Sequence, residues 1–501
     1  MLALLLTLAT AVAPPDVDAL LQERWKQEGI TPAPAADDAE FLRRVTLDLA
    51  GRIPTEAEVR AFLVDRRADR RAVVVDRVLT SEDHATHLAD VTMGLLLGAQ
   101  ERLLRDATDG FRAFLTTAFR ENRPQDTLAI QLLTARGDVK QVPEASFLVA
   151  QMAKGGGPDA ATSAVARAFL GAPIQCAQCH DHPNNDRYKQ KDFRAFSAFL
   201  VQTRARPVRG DDKSFELVDI PARRARRQAP ELASVTPAFL GRAVVIPDGG
   251  DRREALARAV VGSDLFAKHA VNRAWAMVFG RGLVTTLDDL GGENDPSHPP
   301  LLQALAEDFR RHGHDLRRLL RLLVLSGAYQ RTSRTSESQG RLEHAFAKAA
   351  VRPLTPEQLL RSVLVATGAA EAAAEKHGEE KAEKRMKAVL REYLFIHGDD
   401  EMGEADTFNG NVPQALLMFN GELVNRATRS HPSLVLGRIL DRHATPSERL
   451  EAMFLTTLSR PPTTDERKRL EQYLAEHRNR PRAYEDVFYA LITSTEFITN
   501  H

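Results

Sequence analysis

Both cysteines of this 501-residue chain fall in one stretch, Cys176-Ala177-Gln178-Cys179-His180-Asp181-His182-Pro183. Cys-x-x-Cys followed at once by histidine is the pattern for covalent attachment of a c-type haem. On one turn of an α-helix, residues i, i+3 and i+4 share a face, so two thiols reach two porphyrin vinyl groups while the histidine meets the iron. With two cysteines placed at random, this separation arises roughly once in a few hundred chains, and one of the 15 histidines follows about 3% of the time. The cluster therefore has a purpose. The first expectation is a haem c held by Cys176 and Cys179, with His180 as the iron ligand. The same residues, with His180 or His182, could instead bind zinc or non-haem iron. They could also close a local disulfide or be buried and inert. His182, two residues on, points away from His180 on a helix. If the iron is six-coordinate, its sixth ligand is expected from Met152 or from a histidine or methionine of the second domain; an open sixth position would instead allow small-molecule binding or oxidation chemistry.

The elements around the cluster read as helices. Gly155-Gly156-Gly157-Pro158-Asp159 breaks the chain before a helix through Ala164, Ala168 and Leu170, which delivers the cluster. That helix either carries His180 or stops at Pro173, leaving the cluster on a fresh turn. Upstream, Thr55-Glu56-Ala57-Glu58 is a capping box and Ser81-Glu82-Asp83 a second helix start. Residues 16–200 thus form one helical domain. Residues 201–251 form a connection with short strands at Phe215 to Asp219 and Arg242 to Ile246, separated by a basic, proline-bearing stretch from Pro221 to Pro230. Arg223, Arg224, Arg226 and Arg227 are expected to be a solvated face, with a phosphate or an acidic partner as the other reading.

Residues 252–501 form a second helical domain. Thr355-Pro356-Glu357-Gln358, Thr445-Pro446-Ser447-Glu448 and Thr463-Thr464-Asp465-Glu466 each place a hydroxyl three residues before Glu or Gln, the grammar of a helix start. Trp275 and Phe279, four apart, are expected to be core contacts. His298 should make a cap-region hydrogen bond, and His312 and His314 should sit at a helix C-terminus. The stretch from Glu371 to Arg391 reads as an exposed helix or a mobile insertion. Gly410 to Gln414 leads into a core helix through Leu416, Leu417 and Phe419. The fold class is mainly α: two helical domains with a small β-containing connection.

Composition bounds the function. Lys+Arg and Asp+Glu are both 68, which gives no global electrostatic case for nucleic acid or an anionic membrane. Aromatic residues make up 6%, too few to suggest stacking platforms. Residues 1–13 carry a short apolar run ending in Ala11-Val12-Ala13, which reads as a secretory signal peptide. No other run is long enough for a transmembrane anchor. Phosphate loops, Gly-x-Ser-x-Gly elbows and His-Glu-x-x-His are missing from the sequence, so nucleotide and common hydrolase chemistries lose their footing. The carboxylate pairs Asp288-Asp289 and Asp399-Asp400 are sequence neighbours, which does not make an acid–base pair.

Phe169-Leu170-Gly171 running into the Cys176–Pro183 cluster, and then Gln190-Lys191-Asp192-Phe193, resembles the planctomycete-type cytochrome-c-like domain of unknown function. Phe41-Leu42-Arg43-Arg44-Val45-Thr46-Leu47-Asp48-Leu49-Ala50-Gly51-Arg52-Ile53-Pro54-Thr55 resembles the start of the same domain. The family's usual C-terminal companion is matched by Val271-Asn272-Arg273-Ala274-Trp275, Phe279 to Val284, Pro296-Ser297-His298-Pro299 and Val412 to Leu416. After His-Pro this chain departs from the family: Asn184-Asn185-Asp186-Arg187-Tyr188 is a residue longer and keeps only one aromatic, Tyr188. The resemblance implies a periplasmic or secreted protein and names no reaction. The expectation is an exported haem protein with an electron-transfer or redox role, partnered by a redox protein or a neighbouring secreted enzyme. The alternative is an exported scaffold in which the cluster is a structural metal site or disulfide.

Overall fold

The computed structural model describes residues 14–98, 104, 107–181, 188–290, 294–335, 339–382, 422–477 and 479–501. The expected signal peptide, His182 and the segment after it, Asp399-Asp400 and the Val412 helix start lie outside the described residues. The architecture is mainly α, as expected, with a few short strands between and beside the helices. Among the described residues no helix is long and apolar enough to cross a membrane.

The helix Asp38–Ala50 organises the packing. Asp37 caps it, its side chain accepting from Glu40 N, and Gly51 ends it in the left-handed region at φ 67°. From Glu40 to Ala50 every residue is buried, so neither face of this helix sees water. Its apolar residues serve two cores. Phe41, Leu42, Val45 and Leu49 join a large cluster built mainly from residues 17–347, while Leu47, with Ile53 just beyond the helix, joins a smaller one built mainly from residues 354–497.

Its polar residues must then find partners inside the protein. Arg43 donates to Thr457 O at 3.1 Å, Glu496 O at 3.1 Å and Phe497 O at 2.8 Å. Arg44 donates to Tyr329 O and Arg331 O, both at 2.8 Å, and to His501 O at 3.2 Å. Glu40 accepts from Thr332 Oγ1 and Ser333 N at 2.7 Å. Asp48 accepts from Tyr329 Oη at 2.7 Å and Asn500 Nδ2 at 2.6 Å, and pairs with Arg352. One N-terminal helix thus ties the chain to its far end.

The connection is more structured than its composition suggests. β2 (Thr203–Val208) and β3 (Asp211–Asp219) pair antiparallel, and β1 (Gly137–Asp138) adds to β3 from the other side, giving the order β1-β3-β2. The second expected strand is only β5 (Arg242–Ala243), paired with β4 (Ala238–Phe239). The arginine-rich stretch folds as a helix, Ala222–Gln228, because Pro221 presets φ at its start and Ala and Arg are strong helix formers.

Local grammar elsewhere is read correctly. Capping boxes form at Thr55, Thr355, Thr445 and Thr463. Trp275 and Phe279 stack with ring centroids 4.0 Å apart inside the large core. His312 follows the Pro299–Arg311 helix as its C-cap, with Nδ1 2.9 Å from Asp308 O. His298 differs: it occupies the N-cap of that helix yet makes no bond to a helix N–H. Its Nδ1 lies 3.0 Å from the hydroxyl of Ser297, its neighbour. The described part of the Glu371 segment is helical over Ala369–His377 with none of that helix's residues buried, while Ala382 further on is buried.

Candidate functional site

The helix Gly157–Leu170 stops short of the cysteines because Gly171 adopts the left-handed conformation, φ 57° and ψ 39°. Glycine is required there twice over. A Cβ at Gly171 would stand 2.6 Å from His269 Nδ1, 2.7 Å from Leu290 Cδ1 and 3.2 Å from Leu287 O. Its carbonyl in turn accepts from Leu290 N at 2.7 Å. The second half of the chain therefore clamps the backbone five residues before Cys176.

After Pro173 the chain makes a 3-10 turn, Ile174–Gln178, followed by Cys179 in near-helical backbone. The expected α-helical turn does not form, because Gly171 and Pro173 leave too few residues to restart one before the cluster. The tighter turn still aligns the thiols. At three residues per turn, i and i+3 eclipse, so Ile174 and Ala177 share the buried side while Cys176 and Cys179 share the exposed one. Both cysteines are free thiols.

His180 leaves the turn exposed, with Nδ1 2.7 Å from Asp181 O. A carbonyl only accepts, so Nδ1 carries a proton, and in the neutral ring Nε2 is then the nitrogen with the lone pair. That is the tautomer a metal-binding imidazole needs, fixed by its neighbour. The helix Gln190–Ser197 braces the cluster: Gln190 Nε2 donates to Cys179 O at 2.7 Å, and Gln190 N donates to Asp181 Oδ1 at 2.9 Å. Just before it, Tyr188 is buried in the large core.

Two thiols on one edge and an imidazole with Nε2 free fit a porphyrin attached at its rim and ligated from one side. Among the described residues no three His, Cys, Asp or Glu side chains converge as a metal cage. Met152, considered as a further iron ligand, is buried within the large apolar cluster.

The residues missed by the sequence reading are His269 and Arg273, both on the helix Asp264–Phe279. His269 is buried, Nε2 3.1 Å from Ala168 O, and burial together with the nearby Arg273 guanidinium holds its pKa well below the ordinary range, so it is neutral. Arg273 pairs with Asp288, which removes that carboxylate from any acid–base pair with Asp289. The signal was the Val271-Asn272-Arg273-Ala274-Trp275 run itself. Asn272 clips Val284 through both its amide N–H and carbonyl, at 3.1 and 3.0 Å. This motif places the loop that presses on Gly171.

Gly171→Ala should cost about 2 kcal/mol or more, combining left-handed strain with the collision against His269. Gly29→Ala is the control: it has a similar φ of 61° with nothing within 4 Å of the added Cβ, so only the strain of about 1 kcal/mol applies. Urea midpoints of the two variants should differ accordingly, and equal midpoints would remove the clamp.

Two family models match separate stretches of the chain. Residues 16–205 match the family model PSCyt2, described as a protein of unknown function (DUF1549). Residues 252–405 match PSD1, described likewise (DUF1553). No curated protein and no solved structure matches the chain.

Proposed function

We propose, for a chain that belongs to the planctomycete-type family pairing a PSCyt2 domain with a following PSD1 domain, that it is an exported c-type haem protein with a redox role. The observation that carries this reading is His180, whose Nδ1 is tied to Asp181 O at 2.7 Å so that Nε2 is left as a ligand beside two exposed, aligned thiols. Cys176 and Cys179 would hold the porphyrin, each Sγ–H adding across one vinyl C=C without an external oxidant. His180 would ligate the iron. The bound haem supplies one-electron chemistry.

The chain's own residues set the geometry. Gly171, clamped by His269 and Leu290, fixes where the turn starts. Gln190 fixes where it ends by holding the Cys179 carbonyl and bonding Asp181, whose own carbonyl orients the His180 ring. Export is supported by the apolar run and the Ala11-Val12-Ala13 triplet, and it matches the compartment in which such thioethers are made.

Production of the full chain in a host competent for c-type maturation tests the reading. A Soret band that survives denaturation in the wild type and vanishes in Cys176→Ala/Cys179→Ala is expected. His180→Ala should keep covalently bound porphyrin but shift the band. A wild type and double variant with the same colourless spectrum would refute it.

A further inference from the structure

The arginine-rich helix Ala222–Gln228 exposes Arg223, Arg224, Arg226 and Arg227 around a single buried residue, Ala225. None of the four forms an ion pair among the described residues. Arg204 and Arg252 flank the helix and, among the described residues, bond to neutral acceptors: Arg204 to Gln228 Oε1 at 3.3 Å, Val201 O at 2.8 Å and Thr203 O at 2.7 Å, Arg252 to Ala198 O at 2.8 Å. Arg204 also feels Arg224, and Arg252 feels Arg226, as like-charge neighbours that, after burial, favour loss of the proton. Several acids close by are already engaged, while Asp192, beside Gly241, forms no ion pair among the described residues. Asp219 and Asp251 hold Arg136, Asp219 also holds Arg253, Glu216 holds Arg206, and Glu231 lies 3.6 Å from Arg194. Six uncompensated arginines therefore share one face of a chain whose formal charge is zero.

We infer that this face docks an acidic protein partner. A mixed, solvated surface would intersperse both signs; a single-sign patch repels itself and is relieved by a complementary surface, which it also steers toward itself. An exposed apolar side chain is linked to this face through one shared helix. Val245, 91% exposed, follows β5, and the β4–β5 hairpin packs on the helix Gln190–Ser197, as does the short helix Pro230–Ala233 that follows the arginines. An arginine-rich rim beside an exposed aliphatic side chain is the make-up of a protein interface. The helix Ala222–Gln228 has no aromatic residue on which a base could stack, and it spans only about 10 Å, contacting few phosphates of a long polyanion. Gln190–Ser197 also braces the cysteine cluster, so a partner seated here lies one short helix from it. The docking face needs no haem and stands or falls separately from that reading.

The test titrates the full chain with a labelled polyglutamate peptide at low and physiological salt. One variant carries Arg223→Glu, Arg224→Glu, Arg226→Glu and Arg227→Glu. A control of equal charge change carries Arg66→Glu, Arg311→Glu, Arg442→Glu and Arg469→Glu, all exposed positions elsewhere. The wild type should bind in a salt-sensitive way, the patch variant about 10-fold or more weakly, and the control within about 3-fold of wild type. Absent binding, or equal loss in both variants, would overturn the proposal. So would tighter binding to phosphatidylserine vesicles or duplex DNA than to polyglutamate.

Discussion

Acidifying the protein from pH 7 to pH 5 is expected to remove about 2 kcal/mol of stability for each of His84 and His87. Both rings are buried, and burial is the first cause pushing the pKa down, to about 4 for His84 and about 3 for His87. His84 is held neutral with Nδ1 2.7 Å from Leu49 O. His87 lies against Gly51, where an added Cβ would stand 2.5 Å from its Nδ1. The sign follows from proton counting. In the unfolded chain these histidines titrate near 6.5, so between that value and their folded pKa the unfolded state binds more protons. The stability is fully present above about pH 6.5 and drains away as pH falls toward 4. His298 and His501, each held down to about 4 chiefly by burial, add in the same direction. The total is a large part of the 5–15 kcal/mol that holds a typical domain together. Urea midpoints at pH 7 and pH 5 measure it, and His87→Leu should reduce the difference by about 2 kcal/mol. Equal midpoints at the two pH values would contradict the assignment.

Arg43→Met is expected to cost about 3–5 kcal/mol, among the largest effects of any single substitution in this chain. Arg43 is 1% exposed, and burial draws its pKa down to about 10. Its guanidinium fork is the donor for four carbonyls, at Thr457, Glu496, Phe497 and, more distantly, Thr499. Methionine fills a similar volume but leaves those carbonyls unsatisfied in a site water cannot reach. Arg43→Lys keeps the charge and loses the planar fork, so it should fall between the two. Beyond the loss of global stability, hydrogen exchange should quicken selectively in residues 494–500, since Arg43 binds that segment to the helix Asp38–Ala50 through the Glu496, Phe497 and Thr499 carbonyls. A variant with wild-type stability and exchange would show that the end of the chain is held by other contacts.

What the sequence made legible was local. Capping boxes at Thr55, Thr355, Thr445 and Thr463 involve residues three apart, so their grammar can be read directly. The Trp275–Phe279 stack, one helical turn apart, is read the same way. What stayed hidden depends on distant partners. Glu40, Arg43, Arg44 and Asp48 look like the polar face of a surface helix. They are buried because their partners arrive from as far as 457 positions along the chain. Gly171 looks like an ordinary helix stop, and only the arrival of His269 and Leu290 shows why no side chain is tolerated. At the candidate site the residue types were legible and the backbone was not. Competition between a glycine stop, a proline and the buried pair Ile174 and Ala177 selects a 3-10 turn where spacing alone suggests an α-helical one. The arginine stretch misled in another way, since proline suggested a linker where it in fact starts a helix.

If Cys176 and Cys179 carry a haem whose iron meets His180, its mass stays on the unfolded chain. Intact mass under denaturing conditions, on chain exported from a host that matures c-type cytochromes, tests this most directly. The expected result is the processed polypeptide plus the mass of one haem, reverting to the polypeptide alone in Cys176→Ala/Cys179→Ala. A wild-type mass equal to the bare polypeptide, in a preparation where a control cytochrome from the same cells carries its haem, would contradict the account.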